Sequence, residues 1–158
     1  MLVAFYRYTG RKGIVGIVDR LNRWWTGGPY THTELIFSSG EWFSSTVAEA
    51  GVRFKKIDLD LNKWDFLRVD VTADEEAEMW EWAQDRQFRN GLRRRYDFLG
   101  VFLSVILPLD TQDKSRDYCN ETVHLCFQWV GKFCDVKANS MNPNSFYKNL
   151  LKNGARRV

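Results

Sequence analysis

A chain of 158 residues, 44% hydrophobic and with seven tryptophans, can bury a sizeable core, which excludes a disordered polymer. A net charge of +3 is too small to call for a nucleic-acid partner, and three cysteines without a Cys-x-x-Cys pair argue against a disulfide framework and fit a reducing compartment. The first residues lack the basic-then-apolar pattern of a secretory signal, and the longest apolar run, Phe98 to Leu109, is too short to span a bilayer, so the expectation is one cytoplasmic domain over residues 1–158 with no transmembrane segment.

Taken in order, Leu2 to Tyr8 alternates and is rich in β-formers, which predicts a strand. Ile14, Ile17, Val18, Leu21 and Trp24 or Trp25 recur at helical spacing, and Gly27-Gly28-Pro29 ends that helix. Thr31 to Phe37 reads as a strand whose pleat sends His32, Glu34 and Ile36 to one side and Thr33, Leu35 and Phe37 to the other. Ser38-Ser39-Gly40 turns the chain, and Glu41 to Ser45 returns as the antiparallel partner. Gly51 to Ile57 and Trp64 to Val71 read as two more strands, joined by the loop 58–63.

Beyond these strands the pattern becomes helical. Thr72 or Asp74 caps a helix with an acidic first turn, Asp74-Glu75-Glu76, which runs to a stop at Gly91. Arg93-Arg94-Arg95 follows, then Tyr96-Asp97 opens a helix ended by Pro108. Ser115 and Asp117 are N-cap types in front of a helix on which Val123, Cys126, Phe127 and Val130 share a face. A last helix starts at Asn142-Pro143, and residues 155–158 read as a frayed tail. The fold class expected is α+β, a small antiparallel sheet packed against helices.

Cys119 falls in the first turn of its helix, where unpaired backbone N–H groups and the positive dipole end favour a thiolate. A thiol nucleophile needs a base, and the chain has two histidines. His124 is five residues along the same helix, roughly 140° around its axis, so its ring diverges from Cys119 and reads as structural or surface-exposed. His32 lies on a strand that must pack against some helix, and a Cys119 helix laid on it would pair sulfur with imidazole. The alternative is a satisfied core histidine and a small buried hydrophobe.

Three blocks of sequence resemble a known family. Trp25-Thr26-Gly27-Gly28-Pro29-Tyr30-Thr31-His32-Thr33-Glu34-Leu35-Ile36-Phe37 is similar to the histidine strand of the circularly permuted NlpC/P60, papain-like superfamily. Tyr118-Cys119-Asn120-Glu121-Thr122 resembles its nucleophile motif, and Tyr96-Asp97-Phe98-Leu99-Gly100 the helix start before it. Histidine preceding cysteine fits the permuted order. The resemblance implies a cysteine hydrolase or acyltransferase acting on amide, ester or thioester bonds, some members being carried by bacteriophages, which would put the protein in the host cytoplasm. It implies Cys119 as nucleophile and His32 as base, with no cofactor. For the third polar residue a gapless count reaches Ser44; allowing an insertion, Glu49 fits; and Glu34, on the same strand face as His32, is also within reach. The substrates implied are a peptide, a peptidoglycan fragment or an acyl lipid.

Other signals read as structural. The Arg86, Arg89 and Arg93 to Arg95 cluster has acids nearby and reads as a salt-bridged face, though phosphate, lipid headgroup or nucleic acid would also suit it. His32, His124 and the cysteines lack the paired spacings of a zinc site, so no metal is expected. The alternative to an enzyme is a catalytically inactive papain-like fold that binds a peptide, lipid or protein.

Overall fold

The computed structural model describes residues 1–7, 20, 27–46, 51–57, 61–92 and 119–158. Six strands form one antiparallel sheet: β1 (Leu2–Arg7), β2 (Tyr30–Ile36), β3 (Trp42–Thr46), β4 (Gly51–Lys55), β5 (Trp64–Arg68) and β6 (Arg156–Arg157), in the order β4-β3-β2-β1-β5-β6. Among the described residues three helices accompany it: α1 (Ala73–Leu92), α2 (Cys119–Trp129) and α3 (Pro143–Lys152). The fold is α+β, and no helix among the described residues is long and apolar enough to cross a membrane.

β1 holds the centre because its residues are apolar on both faces. Val3 and Phe5 point into the main core with Leu35, Leu67, Val123, Phe127, Phe146 and Leu150. Ala4, between them, points to the opposite face and packs with Trp42 and Trp64 in a second, aromatic cluster. A strand buried on both sides reads as a continuous apolar run, which Val3-Ala4-Phe5 is. α2 packs on β2 and β3, α3 on β2, and α1 on β4 and α2, so the helices cover the main-core face.

The helix ends follow from their caps. Thr72 Oγ1 accepts from the Glu75 backbone N–H at 3.1 Å, and the Glu75 carboxylate accepts from the Thr72 N–H at 2.7 Å, a reciprocal box that selects Thr72 over Asp74. That bond and the Lys132 ammonium hold the Glu75 carboxyl below the usual range. Asn142 caps α3 through the N–H groups of Asn144 and Ser145, with Pro143 at the first helical position.

The tail departs from expectation. Arg156 and Arg157 pair with Arg68 and Leu67, making the last residues an edge strand, and Arg156 forks onto Asp70 at 2.8 and 2.9 Å. β5 ends at Arg68, short of the predicted Val71, although Val69 still exchanges backbone hydrogen bonds with Met1 on the β1 side, both at 3.0 Å. The helices expected around 14–25 and 96–108, the caps Ser115 and Asp117, and Arg93 to Arg95 lie outside the described residues.

Candidate active site

β2 places His32 and Glu34 two residues apart on the face that also carries Ala4 and Ile36 of the aromatic cluster. His32 Nε2 lies 2.8 Å from Glu34 Oε1. The sulfur of Cys119, the first residue of α2, neighbours the ring closely enough to act on its charge. Cys119 is 6% exposed and Glu34 1%, while the His32 side chain keeps 24% of its surface open. The imidazole thus has a buried carboxylate on one ring nitrogen and a buried sulfur as neighbour.

Two local irregularities build this arrangement. The β1–β2 register shifts between Tyr6, opposite His32, and Arg7, opposite Tyr30, so Thr31 is the extra residue of a bulge. Regular alternation would put Tyr30 on the His32 face. Instead the Tyr30 ring packs into the main core, 5.4 Å from Phe5 and 4.7 Å from Tyr147, and its hydroxyl donates to Asp65 at 2.7 Å. Burial and that carboxylate push the Tyr30 hydroxyl pKa up.

The second irregularity is the short β2–β3 ladder, in which only Leu35–Phe43 and Ile36–Trp42 pair. Towards the His32 end the ladder gives way to the Ser44 hydroxyl, which donates to the Thr33 carbonyl at 2.7 Å. α2 packs on both strands and brings Cys119 to His32 at this unladdered end.

A fourth side chain completes the site. Arg53 of β4 donates to Glu34 Oε1 at 2.6 Å and to Oε2 at 2.8 Å, a bidentate fork. Sequence reasoning missed it. The available signal was a lone arginine between Val52 and Phe54, whose side chains face the core.

The electrostatics follow from burial and these partners. Burial opposes a charged His32 ring, but the Cys119 sulfur and the Glu34 carboxylate outweigh it and raise its pKa to about 10. Burial likewise opposes the Glu34 carboxylate, and the His32 ring and the Arg53 guanidinium reverse this to hold it below the usual range.

Of the three candidate third residues, Glu34 is the one at the imidazole. Ser44 spends its hydroxyl on the backbone, and Glu49 lies outside the described residues. His124 is buried, not on the surface. Its Nε2 lies 2.9 Å from the Phe133 carbonyl, its ring stacks on Phe146, and burial lowers its pKa. Asn120 donates its amide to the Met141 carbonyl and so ties the start of α2 to the residue before the α3 cap. Among the described residues no group of three His, Cys, Asp or Glu side chains is arranged to hold a metal.

The approach to β2 is fastened by α3. Asn144 accepts from the Tyr30 N–H at 2.9 Å and donates to the Tyr30 carbonyl at 3.0 Å, doing for β2 what a neighbouring strand would do. Gly28 lets this amide approach, because a Cβ there would sit 2.2 Å from Asn144 Oδ1. Gly28→Ala should therefore displace Asn144 and lower the urea unfolding free energy by about 1–3 kcal/mol, the range for overpacking or for a lost buried hydrogen bond. Gly40→Ala faces open space and serves as the contrast, though its φ of +83° adds its own backbone strain.

Compared with protein-family models, curated proteins and solved structures, the chain gives no match.

Proposed function

We propose that this protein is a cysteine-dependent hydrolase or acyltransferase of the permuted NlpC/P60, papain-like kind, with Cys119 as nucleophile and His32 as general base. The observation that carries this reading is the Cys119 sulfur beside an imidazole whose Nε2 is held by the buried Glu34 carboxylate. A cysteine and a histidine kept only for packing have no need of a carboxylate oriented on the far side of the ring.

The chemistry follows from the geometry. His32 takes the Cys119 proton, and the sulfur adds to a carbonyl carbon to give a tetrahedral oxyanion. Backbone N–H groups at the start of α2 would be the donors for that charge. The imidazolium then protonates the leaving nitrogen, oxygen or sulfur, and the acyl group stays on Cys119 as a thioester. His32 next deprotonates water or another acceptor, which releases the acyl group and restores the thiol. Glu34 keeps Nε2–H in place throughout and stabilises the charged ring. No step needs a cofactor. A peptide, a peptidoglycan fragment or an acyl lipid would all fit this scheme.

The test is acyl transfer from p-nitrophenyl acetate, read by the nitrophenol burst and by intact-mass and peptide mapping. A burst near one equivalent is expected, with acetyl mapped to Cys119 and absent from Cys119→Ser. Acetyl found only on Cys134, or no burst in a folded protein, would overturn the enzyme reading and leave the binding module.

A further inference from the structure

Arg53 reaches the site from a different part of the sheet than the residues it serves. It is held by the β3–β4 ladder, opposite Ser44, and its NH1 also lies 3.4 Å from the Trp42 carbonyl. Its NH2 and the His32 Nε2 converge on the same carboxylate atom, Glu34 Oε1, at 2.6 and 2.8 Å, while NH1 takes Oε2. With both oxygens engaged, the carboxylate cannot turn about its terminal bond without breaking two charge-assisted bonds.

From this convergence we propose that Arg53 is a positioning residue, whose guanidinium fork fixes the Glu34 carboxylate in the orientation that aims the His32 ring at the Cys119 sulfur. The inference rests on the thiol–imidazole reading above and extends it by one side chain.

Burial makes the role necessary. Glu34 is 1% exposed, so water cannot orient its carboxylate or offset its charge. The charged and titratable groups facing it, among the described residues, are His32 from its own strand, Arg53 from β4 and, beyond the ring, Cys119 from α2; β1 opposes it with Ala4. With Arg53 gone, the carboxylate keeps a single cationic partner and takes up a proton more readily. Once protonated, it no longer balances an imidazolium. A lysine supplies charge without the fork, so it should restore the function only in part.

The test is the pH profile of Cys119 alkylation by iodoacetamide in full-length protein carrying Cys134→Ser, which removes the exposed thiol. Wild type should keep its fast labelling down to the pH at which the Glu34 carboxyl protonates. Arg53→Met should move that acid limb up by about one pH unit or more, with Arg53→Lys between the two. The Glu34 carboxyl titration, followed by carbon NMR, should move in parallel. An acid limb and a carboxyl titration unchanged in folded Arg53→Met would overturn the role of Arg53 alone. If Arg53→Met does not fold, an Arg53→Lys profile identical to wild type would do the same. A wild type no faster than an ordinary thiol would overturn the thiol–imidazole reading, and the inference with it.

Discussion

His32→Ala should slow alkylation of Cys119 at pH 6 by about tenfold, while leaving the labelling of Cys134 unchanged. An ordinary thiol, with a pKa of about 8.5, is only about 0.3% ionised at pH 6. A sulfur whose proton is held by His32 escapes that limit, a gain of up to about 300-fold in reactive form. Lower intrinsic nucleophilicity takes part of it back, since reactivity falls with a Brønsted slope of about 0.4–0.5. A net factor on the order of ten remains at most.

The exposed Cys134 makes the pH dependence decisive. Access favours Cys134, because Cys119 is 6% exposed and Cys134 lies on the surface. Near pH 8.5 both should label, but at pH 6 only the thiol paired with an imidazole should remain fast. Cys126 should be silent throughout, since burial raises its thiol pKa. Peptide mapping after short exposures separates the three. Equal slowing of Cys119 and Cys134 on acidification, in wild type, would mean that His32 does not activate the sulfur.

The parts of this site that were legible in the sequence are those set by local geometry. Alternation along Thr31 to Phe37 put His32 and Glu34 on one face, and the helical spacing after Cys119 put the cysteine at a helix start. What could not be read depends on which strands become neighbours. Arg53 meets Glu34 only because β4 follows β3 beside β2, a sheet order that no single segment specifies. The bulge at Thr31 carries no glycine or proline to announce it, and it alone sends Tyr30 and His32 to opposite faces. Ser44 fits a count along the chain but not the pairing, since the ladder stops short of it and the backbone takes its hydroxyl. The tail reads as frayed because the last residues of a domain usually are, yet Arg156 and Arg157 form an exposed edge strand, which tolerates their charge well.

The same pairing that orients His32 should make Glu34 the costliest polar residue to remove. Glu34→Ala leaves the Arg53 guanidinium, which is 12% exposed, without its carboxylate, and the expected loss of unfolding free energy is about 3–5 kcal/mol. Glu34→Gln keeps the shape and one acceptor oxygen, so it should lose less. Replacing both partners, as in Glu34→Gln with Arg53→Met, should recover part of the single-mutant loss, because no buried charge is then left alone.

Denaturant titrations at several pH values separate this account from simple loss of packing. The folded Glu34 pKa lies below its unfolded value, so its contribution is present above about pH 4.5 and disappears as pH falls through the folded value. His32 runs the other way. Its folded pKa of about 10 exceeds the unfolded value, so its contribution is complete below about pH 6.5 and is lost as pH rises through 10. Because the ring titrates together with Cys119, that upper limb belongs to the pair. Glu34→Gln should therefore flatten the acid limb of the stability curve. Core truncations such as Leu35→Ala or Phe43→Ala should lower the whole curve and leave its shape intact. A Glu34→Gln curve parallel to wild type down to pH 3 would mean that the carboxylate contributes shape but not charge, and neither the Arg53 fork nor the imidazole would then need it ionised.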